Sequence, residues 1–177
     1  MLTVLVLAKN EQENITRCLE GLKFCDQIVI VDDGSTDDTI KIAKKNGAVV
    51  LEHELSGDFA AMRNWALEQI KSNWVLFIDA DEVVTKELAN EIRQAITKVE
   101  CKGFLIRRLD YMWGKELKHG DVGNVSLLRL ARRGAGKWSG KVHEVWKVEG
   151  KICRLKNSLL HYPHPDVVFF LKEINKY

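Results

Sequence analysis

Two carboxylates stand two residues apart in Asp79-Ala80-Asp81-Glu82, directly after the apolar run Val75-Leu76-Phe77-Ile78. In extended backbone, side chains two positions apart point the same way, so Asp79 and Asp81 can face one cation. Hard divalent cations such as Mg²⁺ take oxygen ligands and share them with substrate phosphates. Capping of the next helix is the other use open to these acids. A second pair, Asp32-Asp33, also follows an apolar stretch and precedes Gly34, which allows backbone to approach a ligand closely. A carboxylate there suits a nucleobase N–H or ribose hydroxyls, while Ser35-Thr36-Asp37 suits a helix N-terminus. A third polar cluster, Ala8-Lys9-Asn10-Glu11, follows the apolar opening of the chain.

These clusters can meet only if the elements before them are neighbouring strands. Residues 2–7, 27–31, 48–51 and 74–78 read as buried strands. Between them lie helical patterns: one opened by Asn10 and Glu13 as a capping box, one carrying Ile40 and Ala43 and stopping at Asn46-Gly47, and one over 59–70. Thr85 is placed to cap a further helix with Leu88, Ile92, Ala95, Ile96 and Val99 as its apolar stripe. Strands alternating with helices predict an α/β fold, a Rossmann-like doubly wound, mostly parallel sheet. Ligands bind such sheets beyond the carboxyl ends of the strands, where all three polar clusters fall. After a strand at 103–107, short strands at 125–130, 145–148 and 152–155 predict a small mixed or antiparallel C-terminal part. Residues 167–176 read as a helix without a stop signal, so the native chain is expected to continue past Tyr177.

At 177 residues, 46% hydrophobic and 29% charged, the chain suits one folded domain. No apolar run approaches the ~20 residues that span a bilayer, and no leader pattern opens the chain, so a cytoplasmic place is expected. Cys18, Cys25, Cys101 and Cys153 form no C-x-x-C pair and are expected as reduced thiols. Residues 1–101 hold 18 acids against 11 bases, while 102–156 hold 14 bases against 5 acids. The first balance suits a cation site and the second an anionic partner or membrane surface, unless both are solvated faces. There is no G-x-G-x-x-G after the first strand, no P-loop and no G-x-S-x-G, which disfavours dinucleotide, P-loop and α/β-hydrolase chemistry.

The ordered set A-K-N-E (8–11), V-D-D-G-S-T-D-D-T (31–39), R-N-W-A (63–66) and W-V-L-F-I-D-A-D-E (74–82) resembles glycosyltransferase family 2, of GT-A fold. G-K-V-H-E (140–144) and L-L-H-Y (159–162) resemble the family's bacterial lipopolysaccharide-core glucosyltransferases. The resemblance implies a single domain, with a nucleotide-sugar half at 1–101, an acceptor and catalytic half at 102–165 and a C-terminal helix at 166–177. It implies that Lys9, Asn10, Glu11, Asp32 and Asp33 line the nucleoside site, that Arg63 and Asn64 lie near the donor, and that Asp79 faces the ribose. Asp81, completed by His161, would ligate Mg²⁺ or Mn²⁺, and Glu144 would be the catalytic base. The implied partners are a nucleoside-diphosphate sugar, UDP-glucose first among them, and a lipopolysaccharide-core or other glycolipid acceptor. A peripheral contact with the inner membrane's cytoplasmic face is also implied; nucleic acid is not expected. On residues alone, Glu144 could instead be an exposed ion-pair acid and His161 a satisfied structural histidine. Trp113, Trp138 and Trp146 could stack a sugar ring but more often fill a core. A nucleotidyltransferase or a non-catalytic nucleotide-sugar-binding domain remains an alternative.

Overall fold

The structure is a computed structural model describing residues 1–54, 56–118, 125–141 and 143–163. Its first part follows the predicted alternation: β1 (Leu2–Ala8), α1 (Ile15–Gly21), β2 (Gln27–Asp32), α2 (Thr39–Lys45), β3 (Val49–Glu52), α3 (Phe59–Glu68) and β4 (Trp74–Asp79). Next come β5 (Glu82–Val84), α4 (Lys86–Ala95), β6 (Gly103–Met112), β7 (Lys115–Glu116), β8 (Ser126–Arg132), β9 (Gly136–Ser139), β10 (Val145–Val148) and β11 (Ile152–His161). The main sheet runs β3-β2-β1-β4-β8-β6-β11-β5. Its first four strands are parallel, and β8 joins β4 antiparallel. The later strands therefore supply the expected mixed C-terminal part as a continuation of the same sheet, with β8 antiparallel to β4 and β6 and with β11 parallel to β6. Of the described strands, β9 and β10 alone make a second, two-stranded ribbon.

The pleat sorts side chains by parity, as period-two geometry requires. Val4, Val6, Leu76 and Ile78 pack with α1, α2 and α4 on one face. Leu5, Val29, Val75 and Phe77 pack with α3 and the ribbon on the other. The rings of Trp138 and Trp146 stack on each other and meet Phe77 edge-on, so both tryptophans are core, whereas Trp113 is half exposed. Thr85 caps α4 through Leu88 N, as expected. The helix ends at Ala95, which leaves Val99 outside the apolar stripe and exposed. Asn10 does not open α1, which has Asn14 at its N-cap. Instead Asn10 adopts φ 55° and its Oδ1 accepts from Thr36 N, a use that links two loops. The candidate helix at 167–176 lies outside the described residues. Among the described residues, no helix is long and apolar enough to cross a membrane.

The expectation of four reduced thiols is corrected. Parallel pairing of β6 with β11 sets Gly103 against Ile152 and Phe104 against Cys153, and Cys101 and Cys153 form a disulfide. The two cysteines stand 52 residues apart, so only the strand register makes them neighbours. Cys18 and Cys25 are free.

Glu91 of α4 secures an irregularity in β11 between Arg154 and Ser158. Its carboxylate accepts from Lys156 N, Asn157 N and Asn157 Nδ2, each at 2.8 Å. Burial raises the Glu91 pKa, but these hydrogen bonds outweigh it and the net direction is downward from 4.5. A depressed acid stabilises the fold above its unfolded pKa and loses that contribution as pH falls through the folded one. Glu91→Gln should therefore lose about 1–2 kcal/mol at neutral pH by urea denaturation, and the difference should shrink below about pH 4.5.

Candidate functional site

The chain leaves β1 toward β2 and β3, then returns through α3 to place β4 on the other side of β1. That reversal of strand order opens a crevice at the carboxyl ends of β1, β2 and β4. A cleft of about 400 Å³ lies there. Lys9, Glu11, Asp33, Arg63, Asp79, Asp81, Glu144 and His161 all line it, so the structure brings together most of the residues singled out in the sequence. Asn10, Asp32 and Asn64 do not line it.

Two of those three build loops. Asp32 is fully buried, and its carboxylate accepts from Ser35 N at 2.8 Å and from Ser35 Oγ. Asn10 N–H donates to Ser35 Oγ, and its side chain receives Thr36 N. These contacts fasten the loop after β1 to the loop after β2. They leave Asp33 at the cleft, where Lys9 Nζ donates to it at 2.8 Å and its pairing raises the Lys9 pKa. The Lys9–Asp33 pair also borders a second depression that contains Gly34, Glu54, Ser56 and Gly57. Glu11 has a raised pKa because it is buried, and neighbouring acids add to the effect.

A chain of alternating charges forms the cleft's inner wall. Arg63 Nε donates to Glu144 Oε1 and its Nη2 donates to Asp79 Oδ1, both at 2.9 Å. Arg129 Nη2 donates to Asp79 Oδ2 and reaches Glu82 Oε1 at 3.3 Å. Glu82 closes the chain by accepting from Asp79 N at 2.9 Å. Burial alone would raise the Asp79 carboxyl, but Arg129 and Arg63 hold it well below the usual carboxylate range. Glu82 goes the other way: burial pushes its carboxyl up against the pull of Arg129.

On the opposite wall, β11 lies parallel to β6 and sets His161 beside Asp110. His161 Nδ1 contacts Asp110 Oδ1, while Nε2 lies 3.1 Å from Asp81 Oδ2. Burial lowers the His161 pKa and the Arg108 charge adds to that, but the hydrogen bond and charge of Asp81 and the hydrogen bond of Asp110 prevail and raise it. An imidazolium donating to both acids satisfies this geometry, and a divalent cation can take the place of the Nε2 proton. A carboxylate behind a histidine is also the usual support for a metal-ligating imidazole. Among the described residues no three such side chains form a metal cage by themselves. Asp81 and His161 could supply two of the ligands of a cation such as Mg²⁺ or Mn²⁺, which commonly takes its others from phosphate oxygens and water.

The third residue that does not line the cleft is Asn64. Its Nδ2 donates to Trp138 O and its Oδ1 accepts from Trp138 N, both at 2.9 Å. Sequence reasoning passed over Arg129 and Asp110 and left Glu82 without a role. The available signal for Arg129 was a lone charge inside the apolar run Leu127-Leu128-Arg129-Leu130.

Residues 3–146 match the sequence profile described as glycosyl transferase family 2. The chain is 32% identical over 169 residues to LpsC of Rhizobium meliloti, a lipopolysaccharide core biosynthesis glycosyltransferase, with 91% of this chain and 63% of LpsC covered. It therefore spans less than two thirds of that relative's length. S. aureus TarS 1-349 in complex with UDP-GlcNAc superposes with a TM-score of 0.68 at 21% identity, over 93% of this chain and 59% of that one. This likeness bears out the expected fold. The mannosyltransferase PcManGT from Pyrobaculum calidifontis, in complex with GDP-Man and Mn²⁺, gives a TM-score of 0.50 at 25% identity, over 59% of this chain and 34% of that one.

Proposed function

Because this chain belongs to glycosyltransferase family 2, we propose that it catalyses an inverting, divalent-metal-dependent transfer of a sugar from a nucleoside diphosphate to a lipopolysaccharide-core or lipid-linked glycan. UDP-glucose is the first donor to test. The observation that carries this reading is the meeting, in one cleft, of the Asp81–His161 pair with an acid, Glu144, held by an arginine.

In this reading residues 1–101 bind the donor and 102–165 serve the acceptor within one domain. Lys9, Glu11 and Asp33 receive the nucleoside, with Asn10 and Asp32 shaping their loops. Asp79 keeps an edge toward the cleft for a ribose hydroxyl. Asp81 and His161 would hold Mg²⁺ or Mn²⁺, which supplies charge neutralisation for the departing diphosphate. Arg63 engages Glu144 Oε1, leaving Oε2 to take the proton of the acceptor hydroxyl. That hydroxyl oxygen attacks the anomeric carbon from the face opposite the diphosphate, so the configuration inverts without a covalent intermediate. The basic excess of residues 102–156 supports a phosphate-bearing acceptor and a peripheral contact with an anionic cytoplasmic membrane face.

The test is incubation with UDP-glucose, Mn²⁺ and a lipopolysaccharide-core acceptor. The expected result is UDP release together with an acceptor heavier by one hexose. Release of pyrophosphate, or UDP binding with no transfer across a panel of donors and acceptors, would overturn the reading. A calorimetric UDP titration isolates the metal part. Mn²⁺ should tighten UDP binding to the parent, and Asp81→Ala should lose at least about tenfold of that gain. Equal tightening in both proteins removes Asp81 from the metal site.

A further inference from the structure

Glu144 directly follows backbone whose conformation needs support from its neighbours. Between β9 and β10 the chain passes through Gly140 at φ 97° and His143 at φ 57°, two left-handed residues within four positions. The second is costly for a residue with a Cβ and persists only when its surroundings fix it. Those surroundings are α3. Phe59 N at the start of the helix donates to Lys141 O at 3.2 Å, and Arg63 holds the Glu144 carboxylate. Asn64 holds the other end of the segment through both backbone groups of Trp138.

The Asn64 contact has the form of a strand pairing. Trp138 faces Trp146 across the ribbon, and its own N–H and C=O point away from β10 toward α3. A further strand would satisfy that outward pair with one peptide N–H and one peptide C=O. The Asn64 carboxamide offers the same two groups on one side chain. The consequence extends to the cleft, because the Trp138 ring lies 4.7 Å beneath the Arg63 guanidinium that engages Glu144 and Asp79.

We propose that Asn64 is a positioning residue for Glu144: its amide pins the Trp138 backbone to α3 and so fixes both Arg63 and the segment that ends in Glu144. The inference rests on the reading of Glu144 as the base. It gives Asn64 a role distinct from the donor contact expected in the sequence, since its amide is spent on protein backbone.

Asn64→Ala removes both hydrogen bonds. Asn64→Asp keeps the side chain's shape and the acceptor for Trp138 N–H but sets a carboxylate oxygen against Trp138 O, and serves as a second variant that breaks one contact without leaving a cavity. Three quantities are measured: UDP affinity by calorimetry, kcat and KM for UDP release from UDP-glucose with Mn²⁺, and amide exchange of residues 139–144. Both variants should lose about 10- to 100-fold in kcat, the scale of a sub-ångström to ångström misplacement of a reacting group. KM and UDP affinity should stay within about twofold, and exchange should rise in 139–144 while β1 and β4 remain protected. In a Glu144→Gln background, adding Asn64→Ala should cost no further turnover, because both changes act through one group. Weakened UDP binding with kcat preserved, unchanged exchange at 139–144, or losses that add in the double variant would each overturn the proposal. Normal turnover in Glu144→Gln alone would instead sink the base assignment, a failure distinguishable from that of the clamp, which amide exchange reads without any turnover.

Discussion

Glu144→Gln should lower kcat by about 10²- to 10⁴-fold, the contribution of a positioned general base, while KM for UDP-glucose and UDP affinity stay near the parent's. The substitution keeps the side chain's shape, and the amide oxygen can still accept from Arg63 Nε, so the inner wall keeps its arrangement. What disappears is the capacity to take a proton from the acceptor hydroxyl. That capacity matters in the transition state and not in donor binding, so kcat and kcat/KM should fall together. Glu144→Ala would be a poorer probe, since it also frees Arg63, whose other hand holds Asp79. The measurement is the initial rate of UDP release with a saturating glycan acceptor. Turnover at the parent's rate would move the base elsewhere, and Asp121, outside the described residues, is the next acid that the sequence offers.

Much of the cleft could be read in the chain before folding, and the reason is local. Asp79 and Asp81 follow a run apolar enough to be a buried strand, and Asp33 follows another. The rule that ligands meet strand ends then places all three together. Thr85 announced its helix for the same reason, because a cap acts over three residues. The parts that stayed hidden depend on contacts distant in sequence. His161 gains its meaning from Asp110, 51 residues earlier, through a register that no local pattern reveals. Cys101 and Cys153 share that register and with it their disulfide. Asn10 shows the limit from the other side: asparagine suits a helix cap and a left-handed turn equally well, and contacts 26 residues away decided for the turn. Asn64 was noticed for its motif, but only the fold shows that its amide faces Trp138, 74 residues on.

Arg129→Leu should cost about 3–5 kcal/mol of folding stability, the range for removing one partner of a buried ion pair. Arg129 sits in β8 with both neighbours apolar and is 6% exposed. Its guanidinium binds Asp79 and Glu82 together. Asp79 would still have Arg63, but Glu82, wholly buried, would keep only Asp79 N–H as a hydrogen-bond donor among the described residues. Burial already pushes the Glu82 carboxyl up to about 7, so without Arg129 it must either stay buried and unpaired or take up a proton, and the cost should depend on the ionisation of Glu82. In a Glu82→Gln background, where the side-chain oxygen can still accept from Asp79 N, Arg129→Leu should cost about 1–3 kcal/mol less than in the parent. Arg129→Lys should fall between, because an ammonium keeps the charge but lacks the planar fork that spans two carboxylates. Chemical denaturation of the four proteins and the double variant measures each difference directly. If Arg129→Leu costs the same with and without the Glu82 carboxylate, the loss is one of packing, and the alternating charge chain behind the cleft does not hold the strand ends together.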